Sequence, residues 1–189
     1  METVALYGGS FDPPHIGHKA VVDALGKLSF IDKIVVMPTY LNPFKKAFFA
    51  SPELRLKWLE TIFASYRRVE ISSFEVDLQR EVATVETIHY LKKRYSKIYL
   101  VIGADNLQSL HKWQDYETLK ESVHFIIAKR DAFRVSDDFI KLEIDESISS
   151  SSLRENMDIS KLPKAVAQEI AQYYKDYNAK QNRKDNSFT

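Results

Sequence analysis

The chain contains no cysteine. That excludes a disulfide framework, a thiolate nucleophile and a thiolate metal site, and it fits a reducing cytosol, where we expect the protein to work. It also has almost no net charge: 27 Lys and Arg against 26 Asp and Glu leave +1. Such a balance exerts no strong pull on nucleic acid or on a membrane surface, and neither is expected as a partner. No apolar run approaches the ~20 residues of a membrane-spanning helix. The chain opens on a strand pattern rather than on a secretory leader, so no signal is expected. Repeats and low-complexity tracts are absent. Glycine is scarce, with 5 among 189 residues, so two standing together mark a place in the chain.

What is present is ordinary in bulk, 44% hydrophobic and 28% charged, enough for one domain with a real core. We expect that domain over residues 1–178, closed by helices over about 151–178, with a polar, frayed tail over 179–189. The chain is organised around residues 7–18, Tyr7-Gly8-Gly9-Ser10-Phe11-Asp12-Pro13-Pro14-His15-Ile16-Gly17-His18. The apolar run Val4-Ala5-Leu6-Tyr7 precedes it and a helical stripe, Val21, Val22 and Leu25, follows. A buried strand, a glycine turn and a helix start form an anion site, because free N–H groups and the helix dipole face the charge. Gly8 and Gly9 are expected to let the backbone turn sharply, and Pro13 and Pro14 to stiffen it. His15 and His18, three apart, share a face of the first helical turn. Two imidazoles beside N–H donors suit a phosphate. The alternative, a zinc half-site, wants further ligands that a chain without Cys is poorly placed to give.

Strand and helix patterns then alternate. Ile34–Met37 reads as a second buried strand, stopped by Pro38. Residues 38–50 form a loop rich in aromatics and lysines, where α/β proteins bind ligands. Ser51-Pro52-Glu53 starts a helix with the stripe Leu54, Trp58, Leu59 and Ile62. Val69–Ser73 is a strand, Thr84 an N-cap candidate for a helix to about Tyr95, and Ile98–Ile102 a strand running into Gly103-Ala104-Asp105. Asp105 can accept hydrogen bonds from a ribose or cap the next helix. Trp113 can stack on a flat ring or anchor the core. Val123–Ala128, followed by Lys129 and Arg130, and Lys141–Ile144 complete the strands. In Ser149-Ser150-Ser151-Ser152-Leu153-Arg154, hydroxyls at a second helix start precede an arginine fork, again suited to phosphate. Leu162, Val166, Ile170, Tyr173 and Tyr177 mark a closing amphipathic helix introduced by Pro163.

The Gly-Gly-Ser-Phe-Asp-Pro opening with His15-Ile16-Gly17-His18, the Gly103-x-Asp105…Trp113 block and the Ile148–Arg154 block come in one order. Together they resemble the His-x-Gly-His nucleotidylyltransferases, and most of all the bacterial nicotinate mononucleotide adenylyltransferases. The resemblance spans Tyr7 to Tyr174. It departs at Asn42-Pro43-Phe44-Lys45, where the family has Pro-Pro-His-Lys, and at Val82-Ala83-Thr84, where the family has Ser-Tyr-Thr. It implies an α/β fold, a Rossmann-like doubly wound parallel sheet in three α/β/α layers. It implies ATP and nicotinate mononucleotide as substrates, with Mg²⁺ held mainly through the ATP phosphates. His15, His18, Lys45 and Arg154 would be catalytic. Gly8, Gly9, Ser10, Phe11, Gly103, Asp105, Ser150 and Ser151 would join the histidines and Arg154 in binding ATP. Ser10, Lys45, Thr84, Asp105 and Trp113 would bind the mononucleotide. No serine, cysteine or lysine nucleophile with a base beside it stands out, and direct in-line transfer needs none. Another phosphate acceptor (nicotinamide mononucleotide or phosphopantetheine) and a non-catalytic nucleotide sensor are the alternatives. An aminoacyl-tRNA synthetase, which shares the His-Ile-Gly-His letters, is disfavoured by the short, nearly neutral chain.

Overall fold

A computed structural model describes residues 2–43, 45–129, 135–146 and 148–185. Phe44, Arg130 and the end of the expected tail, 186–189, lie outside the described residues. A single sheet organises the chain: β1 Thr3–Gly9, β2 Lys33–Pro38, β3 Val69–Ile71, β4 Lys97–Gly103, β5 His124–Lys129 and β6 Ile140–Glu143. The strand order is β3-β2-β1-β4-β5-β6 and every pairing is parallel. The helices are α1 Ile16–Leu25, α2 Pro52–Phe63, α3 Phe74–Asp77, α4 Thr84–Leu91, α5 Tyr116–Ser122, α6 Ser150–Glu155 and α7 Ala167–Asp185. Short 3₁₀ segments cover Ala104–Lys112 and Ile159–Lys161.

Each central strand is apolar along its length because it is covered on both faces. Ala5, Tyr7, Ile34, Val36, Tyr99 and Val101 pack with α1, α2 and α7 through Val22, Leu25, Trp58, Leu59 and Ile170. Val4, Leu6, Val35, Met37, Leu100 and Ile102 face the other way, onto Ile88 and Leu91 of α4 and Leu119 of α5. Alternate residues of one strand thus feed two cores. The doubly wound, three-layer architecture read from the sequence is the one observed. The order reverses between β1 and β4, and at such a switch point the strand C-termini open a crevice.

Local details differ from the sequence reading. Gly8 and Gly9 are extended residues inside β1, and no glycine among the described residues has positive φ. Phe11 makes the turn instead, with φ 49°. Thr84 is not the cap of α4: Ala83 holds that extended position, and its carbonyl accepts the N–H groups of Glu86 and Thr87. A side chain already inside the first turn no longer has the cap's geometry. Asp105 likewise follows, rather than forms, the N-cap, which is Gly103. The short helices α3 and α5 carry too few turns to show periodicity in sequence. The polar stretch from Ala179, expected as tail, continues α7 as far as Asp185.

Candidate active site

The C-terminal edge of β1 carries the loop from Ser10 to His15. Ser51 caps α2 by accepting from the N–H of Leu54, with Pro52 at the first helical position, as its sequence suggested. That fixes where loop 38–50 re-enters the body of the protein. His15 is the N-cap of α1 and His18 lies one turn in. Their rings stack, with centroids 3.7 Å apart and planes 25° apart. The His15 N–H donates to Nδ1 of His18 at 3.2 Å. Phe11 meets His18 edge-on at 4.8 Å. His15 is buried, while His18 keeps part of its surface.

Gly17 makes room for the buried His15 ring. A Cβ there would lie 3.0 Å from Nδ1 and 3.1 Å from Cε1 of His15. Its missing side chain is the space the imidazole occupies. A Cβ at Gly9 would stand 3.2 Å from the Phe11 ring, so that glycine admits Phe11 beneath the strand end.

The second half of the site comes from α6, capped by Ser149, whose hydroxyl accepts from Ser152 N–H at 3.1 Å. Ser150 donates its hydroxyl to the Pro13 carbonyl at 2.9 Å. Arg154 donates one N–H to the Asp12 carbonyl and another to Ser151 Oγ at 3.0 Å. Its guanidinium lies 4.3 Å from the centre of the Phe49 ring. The β1–α1 loop and α6 therefore form one body, although 137 residues separate Pro13 from Ser150.

Two residues that sequence reasoning did not single out hold this body together. Asp12 is 2% exposed and accepts from the N–H groups of Phe49 and Ala50, at 2.8 and 3.0 Å, and from the Tyr174 hydroxyl. Arg55, 1% exposed, donates to the carbonyls of Ser10 at 2.6 Å, Tyr40 at 2.9 Å and Ala50 at 3.0 Å. It thereby ties both ends of loop 38–50 to β1. A signal existed: Arg55 falls on the α2 face of Leu59 and Ile62, where a solvated charge does not belong. Ser10, Thr39, Tyr40, Lys45 and Arg55 line a small cavity behind the loop.

The cluster is cationic. Lys45 is an exposed residue overall, yet burial of its charged end draws its pKa down, and Arg154 repels it further. Burial likewise lowers the Arg55 pKa, against the nearby charge of Asp12. An anion of several charges would relieve this repulsion. Of the residues named from sequence, Gly8, Gly9, Ser10, Phe11, His15, His18, Lys45, Ser150, Ser151 and Arg154 gather here. Gly103, Asp105 and Trp113 are placed by β4, which pairs beside β1, with Asp105 exposed and Trp113 packed partly on the core. Thr84, half-buried, opens α4.

Residues 6–156 match the family model described as cytidylyltransferase-like. A protein of Sulfurimonas denitrificans, named a probable nicotinate-nucleotide adenylyltransferase, is 55% identical over 180 residues, 95% of this chain and 99% of that one. A protein of the same name from Nitratiruptor is 46% identical over 91% of this chain and 98% of its own. The solved Plasmodium falciparum nicotinic acid mononucleotide adenylyltransferase complexed with NaAD superimposes with a TM-score of 0.76 at 21% identity, covering 94% of this chain and 97% of that one. At that identity it speaks for the fold. The chain belongs to the cytidylyltransferase-like nucleotidyltransferases and, among them, to the nicotinate-nucleotide adenylyltransferase family.

Proposed function

We propose that the protein transfers the adenylyl group of ATP to the 5′-phosphate of nicotinate mononucleotide. An acceptor phosphate oxygen attacks the α-phosphorus in line, the bond to the bridging oxygen breaks, and pyrophosphate leaves with its electron pair. No covalent enzyme intermediate forms. The products are nicotinate adenine dinucleotide and pyrophosphate, a step of NAD biosynthesis. The observation that supports this reading is the bonding of α6 to the β1–α1 loop, which sets Arg154 beside the loop that leads into the histidines, with Lys45 of loop 38–50 close enough to Arg154 to be repelled by it.

The histidine pair meets the charge on the transferred group. Nδ1 of His18 accepts the His15 N–H, so its proton resides on Nε2, which is the donor toward phosphate. Lys45 and Arg154 hold the β and γ phosphates, with Ser151 beside Arg154. Gly8, Gly9 and Ser10 bring backbone close to the reacting phosphates, over the edge of Phe11. Gly103 and Asp105 address adenosine, and Thr84 and Trp113 the pyridine ring and its carboxylate. Catalysis is then positioning and electrostatic stabilisation.

Mg²⁺ accompanies the triphosphate and neutralises part of its charge. Among the described residues no group of three or more His, Asp or Glu is gathered to hold a metal, and Asp12 spends both carboxylate oxygens on donors. On this reading the ion would be held mainly by the ATP phosphate oxygens and water, where it would offset charge on the triphosphate. No helix of the described residues is long and apolar enough to cross a membrane, and we place the enzyme in the cytoplasm.

The test is pyrophosphate release from ATP and Mg²⁺ with nicotinate mononucleotide, nicotinamide mononucleotide or phosphopantetheine. Release with the nicotinate substrate above the others is expected. Nucleotide binding without release for any acceptor would leave a sensor and sink the proposal.

A further inference from the structure

The C-terminal helix reaches the candidate site, and nothing in the proposed chemistry uses it. Tyr174 is 1% exposed and donates its hydroxyl to Oδ1 of Asp12, the oxygen that also accepts from Ala50 N–H. The neighbouring Tyr173 hydroxyl donates to the Phe49 carbonyl at 3.0 Å, and the Tyr177 ring meets the Phe49 ring at 5.5 Å. Asn178 donates to the Arg154 carbonyl at 3.2 Å. One face of α7 thus grips both the loop that carries Lys45 and the helix that carries Arg154.

We propose that Tyr174 is a positioning residue for adenylyl transfer, acting through Asp12 to hold loop 38–50, and with it Lys45, in register with the histidine pair. The inference rests on the adenylyl-transfer reading for its kinetic part only. Three donors converge on the Asp12 carboxylate: two amides of the loop and the Tyr174 hydroxyl. The amides orient the loop only if the carboxylate itself is oriented, and the hydroxyl is the donor supplied from outside the loop. Burial and the charge of Asp12 both push the Tyr174 pKa up, so the hydroxyl stays a donor at any working pH. Arg55 holds the same loop by its carbonyls, so losing one hydroxyl loosens the loop without releasing it.

Tyr174→Phe keeps the ring and removes only the donor. Wild-type turnover, measured first, decides the adenylyl-transfer reading by itself. The variant is then compared for kcat and KM and for hydrogen exchange of a peptide over residues 45–50. The expected result is a roughly 10- to 100-fold fall in kcat/KM, as for a sub-ångström to ångström misplacement of a catalytic group, with kcat falling more than KM rises. Exchange of the 45–50 peptide should quicken about tenfold while a peptide over β4 is unchanged. Tyr66→Phe, which removes a hydroxyl bonded to Asp23 at 2.7 Å, serves as control and should alter neither. Unchanged turnover, unchanged exchange at 45–50, or exchange raised equally in β4 would each overturn the proposal.

Discussion

The imidazole of His18 lies against that of His15, 25° from parallel, while His15 donates its own N–H back to Nδ1 of His18. One histidine is buried and orients the other, which keeps a surface. The two substitutions should therefore separate. His18→Ala should lower kcat by roughly 10²–10³-fold, the usual loss for one transition-state donor, with thermal unfolding little changed. His15→Ala should lower kcat and also the unfolding temperature, since it empties a space packed against Gly17. Near-wild-type turnover of the His18 variant would remove this histidine from the chemistry.

Trp113 packs partly against the core beside Leu110 and Leu119, and its indole N–H is buried with no hydrogen-bond partner among the described residues. The core residue Trp58 has an unpartnered indole N–H as well, so kinetics rather than the missing bond separate ring stacking from core anchoring. Trp113→Ala should raise the KM for the mononucleotide more than that for ATP. Equal changes in the two constants would make the residue a core anchor.

Gly103 ends β4 where a Cβ would stand 2.3 Å from Oδ1 of Asp105. No methyl group can share that space, and the carboxylate is the movable partner. Gly103→Ala should swing Asp105 aside and so reproduce the kinetic defect of Asp105→Ala, a higher KM for ATP. The double variant should be no worse than either single one, because both remove the same contact. Additive defects would separate Gly103 from Asp105.

The parts legible in the sequence share a physical cause. Strands such as Ala5–Tyr7 and Leu100–Ile102 are buried on both faces, so burial writes itself as continuous apolar letters. The His15–His18 spacing and the serines before Arg154 are local, and local patterns survive in sequence. What stayed hidden acts over distance. Asp12 meets Ala50 and Tyr174 across 38 and 162 residues, and nothing around Asp12 in sequence names those partners. The place of Arg55 on the apolar face of α2 hinted at burial, but the three carbonyls that receive its guanidinium, on Ser10, Tyr40 and Ala50, are not written in the sequence around it. The turn was assigned to the glycines because they are permissive, whereas the positive φ fell on Phe11, whose ring is held by Tyr7 and His18.

Glu75 offers a test of the fold on the side of α4. Its carboxyl, 7% exposed, accepts the Thr87 hydroxyl at 2.7 Å. Burial pushes its pKa up from 4.5 to about 7, the Thr87 hydrogen bond opposes that rise, and Glu86 adds to it. Between those values the folded protein holds a proton that the unfolded chain releases. Stability from this group is thus greatest at low pH, declines as pH rises from about 4.5 to about 7, and levels off above. The full change is about 3 kcal/mol. Glu75→Gln keeps an acceptor for Thr87 and cannot ionise, so it should not share the decline. The unfolding temperature of the Gln variant, relative to wild type, should rise by roughly 5–10 °C between pH 5 and pH 8 for a domain of this size. A difference that stayed constant across that range would show that Glu75 ionises in the fold as freely as it does in water.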